Sequence, residues 1–189
     1  MGIASVSDPF ATLGIPAAFD VDLKAVERHV RELSRVLHPD RHVGSTAQER
    51  RMALGKAIEV NEAWRIVRDP IRRAEALLKR AGVVVAEGKE PKPSPAFLMD
   101  VMERREALAD ARKARDLAKL KRLSDEVREL EQSATSRLAK GFSELESDPT
   151  KASELVPLLG ELRYYRRFFD EVSAIEDELA IASSSSESR

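Results

Sequence analysis

The side chains able to do chemistry crowd into one stretch, RVLHPDRH, residues Arg35 to His42. His38 and Asp40 stand two apart with Pro39 between them. A carboxylate beside an imidazole can orient it as a general base, but such a pair needs a nucleophile or a bound substrate next to it. His38, Asp40 and His42 could supply metal ligands. Pro39 stiffens the loop, however, and the chain's only other histidine, His29, reads as solvated or partly packed on the preceding helix. Pro39 also disfavours helical geometry at His38 and so ends that helix. A helix stop and a contact surface for another protein therefore both remain open for the tripeptide.

Composition removes most of the enzymatic readings. The 189 residues contain no cysteine, which excludes disulfides, thiolate zinc sites and cysteine nucleophiles. Glycine-rich phosphate loops and nucleophile elbows are lacking as well. With 34% charged residues, 8 glycines and few aromatics, the chain has the composition of long helices. No apolar run approaches the ~20 residues of a membrane span, and the start MGIASVSDPF lacks the regions of a signal peptide, so a cytoplasmic protein is expected. The net charge of −1 hides an asymmetry. Residues 1–80 carry 14 Lys and Arg against 11 Asp and Glu, and the remainder 18 against 22. Neither half is basic enough to argue for nucleic acid.

The pattern of apolar residues predicts an all-α protein. DPFATLG reads as a short helix capped by Asp8, with Pro9 in its first turn and Gly14 closing it. Asp22 opens a helix whose Leu23, Val26, Val30, Leu33 and Leu37 recur at intervals of three and four. After the polar loop, Ser45 or Thr46 caps a helix carrying Ala53, Ala57, Val60, Ala63, Trp64 and Val67, and Asp69-Pro70 starts another. Residues 81–95, with three prolines, read as a linker. Residues 96–182 then hold three amphipathic patterns that predict an antiparallel three-helix bundle. The third follows Leu155, Leu159, Leu162, Tyr165, Phe169, Val172 and Leu179. Residues 1–7 and 183–189 are expected to be disordered.

With the elements placed, the tripeptide sits between two antiparallel helices. The first carries Arg28, Arg31 and Arg35 opposite its apolar face, and the second ends NEAWRIVRDPIRR. Residues 8–80 resemble the J-domain, the co-chaperone module that stimulates DnaK-type ATPases. The resemblance implies that His38, Pro39, Asp40 and Arg41, with Arg28, Arg31 and Arg35, dock on the chaperone and promote hydrolysis there, the chain itself being no enzyme. Pro39 would limit the entropy lost on docking, Asp40 would accept charge-assisted bonds, and the arginines would steer toward an acidic surface. Glu32 follows Arg31 where many J-domains have two adjacent basic residues, a departure that bears on partner choice.

The second half adds a further resemblance. In SPAFLMDVMERREAL, Phe97, Val101 and Leu108 satisfy a bundle stripe, while Leu98, Met99 and Met102 widen or overshoot it. That is either a broad core face or an exposed patch of the kind that binds a partner. Together with the first 80 residues, this stretch resembles the HscB family, J-type co-chaperones of iron–sulfur cluster biogenesis, over about residues 8–180. The resemblance implies that the bundle binds an IscU-type scaffold protein through Leu98, Met99, Met102, Glu103, Arg105, Glu106 and Tyr164, and that an HscA/DnaK-type ATPase is recruited by the J-domain. A tyrosine at 164 fills the space of a phenylalanine but brings a hydroxyl that needs a partner or water. No cofactor or metal is expected of the chain. The alternative is a J-domain co-chaperone for a different client.

Overall fold

The computed structural model describes residues 8–38, 44, 46–83, 93–145 and 147–187, the side chains as far as residue 182. Among these residues there are seven α-helices, one 3₁₀ helix and no strand, an all-α architecture as the apolar spacing predicts. The chain divides into two compact units.

The first unit comprises Met1–Val85 with Gly141–Ser153. Its helices are α1 (Pro9–Leu13), α2 (Leu23–Val36), α3 (Ala47–Arg68) and α4 (Pro70–Arg80). Each start has a side chain that accepts from the backbone N–H groups left over at a helix N-terminus. Asp8 accepts from Phe10 and Asp22 from Ala25, each at 3.0 Å. Asp69 accepts from both Ile71 and Arg72. Thr46, rather than Ser45, caps α3, in a reciprocal box where Glu49 returns a bond to the Thr46 N–H at 2.8 Å. Gly14 ends α1 with φ 65°, a left-handed geometry that costs glycine no Cβ clash.

Val26 and Val30 of α2 meet Ala53, Val60, Ala63 and Val67 of α3 and Ile71, Ala74, Leu77 and Leu78 of α4 in one core with Phe10 and Leu13. Trp64 on α3 is half-buried at its margin. His29 is held by this packing: its Nε2 donates to the Leu13 carbonyl at 3.1 Å, tying α2 to the end of α1. Phe19 belongs to the same core and stacks on Phe142 with 5.3 Å between ring centroids.

The second unit comprises Ala86–Lys140 with Glu154–Arg189. It contains α5 (Pro95–Ala114), the larger part of α6 (Leu117–Glu144) and α7 (Val156–Glu187); the 3₁₀ helix at Pro149–Leu155 belongs mostly to the first unit. Side-chain pairs fix the directions. Phe97 lies edge-on to Tyr164 and Arg112 pairs with Glu178, so α5 and α7 run the same way. Arg137 pairs with Glu161 and Arg128 lies over Phe169, so α6 runs against them. Leu108 and Ala111 of α5, Leu120, Leu123, Val127, Ala134 and Leu138 of α6, and Leu159, Leu162, Tyr165, Phe168, Val172 and Ile175 of α7 fill the centre.

On α7 the buried row differs from the expected one. Phe168 is buried and Phe169 only half-buried, and the row continues to Ile175 where the sequence pattern continues to Leu179. Both rows obey helical spacing, and the aromatic side chains facing α5 decide between them. The helix also runs on to Glu187, through most of the segment expected to be disordered, because serine continues a helix already nucleated at little cost.

Candidate functional site

Two surfaces carry the residues singled out by sequence. On α2, Arg28, Arg31 and Arg35 are all exposed at spacings of three and four, and His38 is exposed just past the helix end. They share the face opposite Val26 and Val30. The three cations are not equivalent, since Arg31 donates to Glu27 at 2.6 Å one turn back on the same helix. Pro39, Asp40 and Arg41 lie outside the described residues, as does His42. Among the described residues no group of three or more His, Asp or Glu side chains could hold a metal ion.

The second surface is on α5, which presents three rows of side chains to three environments. Phe97, Val101, Arg104, Leu108 and Ala111 turn inward, Leu108 and Ala111 fully. Arg104 is anchored there by two bonds to Asp100, the shorter 2.7 Å. Leu98, Met102 and Arg105 form the next row, and Met99, Glu103 and Glu106 the one beyond, all six exposed. Leu98 is 46% exposed, Met99 63% and Met102 70%, which settles the patch as surface rather than broad core. Ser94 caps this helix by accepting from the Phe97 N–H at 3.2 Å, so the apolar residues occupy its first two turns.

Tyr164 stands apart from the other six scaffold-contact candidates because it is only 8% exposed. Its ring meets Phe97, Tyr165 and Phe168 at centroid distances of 5.7, 5.7 and 6.3 Å. With Val101, Arg105, Arg167, Phe168 and Glu171 it lines a groove of about 270 Å³ between α5 and α7. The groove thus brings Tyr164 together with Arg105. Val101, Arg167, Phe168 and Glu171 are the members that sequence reasoning did not include. Phe168, one turn from Tyr164, was the legible one; Arg167 and Glu171 read as ordinary solvated positions.

The Tyr164 hydroxyl meets no hydrogen-bond partner among the described residues although it is buried. Burial pushes its phenol above the ordinary range, partly offset by the positive charge of Arg104. Burial, with the Glu161 carboxylate adding to it, raises the neighbouring Tyr165 to about 12. Neither phenol ionises near neutral pH, so the aromatic cluster carries no charge there.

Comparison with known proteins bears on the chain as a whole. Residues 93–173 match the family model of the HSCB C-terminal oligomerisation domain. A co-chaperone protein HscB homolog of Shewanella baltica is 31% identical over 172 residues, which are 90% of this chain and 97% of that protein. The homolog of Bordetella petrii is 41% identical over 108 residues, a match spanning 57% of this chain and 64% of its relative. Among solved structures, chaperone HscB from Vibrio cholerae superposes with a TM-score of 0.75 at 27% identity, covering 92% of this chain and 99% of that one. The similarity thus runs through both compact units, and the chain belongs to the HscB family of co-chaperones.

Proposed function

We propose that this chain is a non-enzymatic adaptor that carries an iron–sulfur cluster scaffold protein to an HscA/DnaK-type chaperone and stimulates that chaperone's ATPase. Residues 8–80 act as the J-domain and residues 96–182 as the client-binding bundle. The observation that carries the reading is the exposure of Leu98, Met99 and Met102 on a helix that already has a complete inward row. Solvated methionine and leucine side chains at three neighbouring positions contribute nothing to a bundle core, and they gain free energy when a partner covers them. Glu103, Arg105 and Glu106 flank them and orient the partner. The exposed Arg28, Arg31 and Arg35 on α2 supply the cationic face for the chaperone, and Pro39, Asp40 and Arg41 supply the loop that triggers hydrolysis.

The test is single-turnover ATP hydrolysis by the chaperone of the same cell, with and without the scaffold protein. The parent is expected to accelerate hydrolysis, and the scaffold to amplify the effect. Asp40→Asn is expected to lose stimulation in both conditions. A triple Leu98→Ala, Met99→Ala, Met102→Ala variant is expected to keep the scaffold-free stimulation and lose the amplification, through affinity reduced at least about tenfold. Stimulation that the scaffold never alters would leave a co-chaperone with a different client. No stimulation at all would remove the chaperone half of the proposal.

A further inference from the structure

The groove between α5 and α7 contains an incomplete hydrogen-bonding arrangement that the exposed patch beside it does not explain. Tyr164 is more than nine-tenths buried, yet its hydroxyl donates to nothing and accepts from nothing among the described residues. A buried hydroxyl in this condition is a standing cost to the fold. The same ring with hydrogen in place of the hydroxyl would pack equally well against Phe97 and Phe168. At about 270 Å³ the groove is smaller than the pockets that enclose metabolites, but it has room for one side chain. Its wall is apolar, from Val101 and Phe168, and its charged members are Arg105, Arg167 and Glu171, one net positive charge.

We infer that this groove receives an acidic side chain of the docked scaffold protein, whose carboxylate accepts a hydrogen bond from the Tyr164 hydroxyl between Arg105 and Arg167. The inference rests on the scaffold-binding reading and adds to it a polar anchor beside the apolar patch. An O–H donor to a carboxylate is a short, charge-assisted bond. The protein already covers the hydroxyl, so forming that bond adds little desolvation of the phenol. Arg105 and Glu171 are both exposed and line the groove, and docking must displace them for a partner atom to reach the covered hydroxyl. Tyr164 thereby serves specificity more than folding, because a partner with an apolar or basic group at this point would leave the hydroxyl unmatched.

Tyr164→Phe separates the two roles because they have opposite signs. Titration calorimetry of the full chain with the scaffold protein is expected to show affinity weakened about tenfold, while the thermal midpoint of the variant alone is unchanged or higher. Arg167→Gln, an exposed position, is expected to weaken binding as well and to flatten its dependence on salt. Unchanged or tighter binding by Tyr164→Phe would overturn the inference. Weaker binding by Tyr164→Phe with none by Arg167→Gln would overturn the carboxylate. The Leu98→Ala, Met99→Ala, Met102→Ala variant keeps the two readings distinct: if it loses binding while Tyr164→Phe binds like the parent, only the anchor fails. A parent that does not bind the scaffold overturns both.

Discussion

Arg73 is the one charged side chain that the described residues bury, at 6% exposure. Its guanidinium donates to the Val67 carbonyl at 2.7 Å, near the C-terminal end of α3, and lies 4.8 Å from the centre of the Phe19 ring. Burial lowers its pKa, and the carboxylates of Asp69 and Asp20 act the other way. Because Phe19 is also stacked on Phe142, that one ring packs against both a cation and an aromatic. Phe19→Ala is expected to destabilise the chain by about 3–5 kcal/mol in a urea melt, the range for losing a buried aromatic. Neither partner of the stack was legible in the sequence. Arg73 sits beside Arg72 in DPIRRAEALL, where periodicity alone cannot say which arginine turns inward, and Phe19 lies in no helix. His29, by contrast, read as solvated or partly packed, and it is partly packed.

At the scale of elements the caps were the most readable feature, because Asp8, Asp22, Thr46 and Asp69 each stand immediately before an apolar period, where a short polar side chain reaches the first free N–H groups. The joint between α5 and α6 is a different matter. It consists of Arg115, with φ 54°, and Asp116, which caps α6 by accepting from the Lys119 N–H at 2.8 Å. A left-handed arginine crowds its own Cβ, a geometry that helices ordinarily end with glycine. Arg115→Gly is expected to stabilise the bundle by up to about 1 kcal/mol, read as a rise in the thermal midpoint, despite the extra freedom of glycine in the unfolded chain. The composition of α5 was readable as apolar excess, but whether that excess was core or surface was not. Periodicity gives the angle of each row, and only the width of the packed α6–α7 face decides which rows are covered.

For the whole molecule, the sequence places a linker in the proline-bearing segment at 81–95, and the chain divides into two compact units. The membership of Gly141–Ser153 in the first unit was not legible in the sequence, and Phe142 of that segment stacks on Phe19, more than a hundred positions away. Stability at high pH belongs to this scale. Tyr165 is held neutral up to about 12 in the folded chain, against about 10 when unfolded. Its contribution is therefore intact below about pH 10 and is lost as the pH rises from there to about 12. Circular dichroism is expected to show helix stability falling across that window, and Tyr165→Phe to make the fall shallower. No helix among the described residues is long and apolar enough to cross a membrane.

The placement of the chain's single tryptophan and two tyrosines has a practical consequence. Trp64 belongs to α3 in the first unit, while Tyr164 and Tyr165 both belong to α7 in the second. Indole emission excited at the red edge reports on the first unit alone. Second-derivative absorbance, which resolves the phenol band from the overlapping indole, reports on the second. The molecule is therefore optically labelled in each half without any introduced dye, and coincidence or separation of the two signals during unfolding measures directly whether its halves melt as one cooperative body.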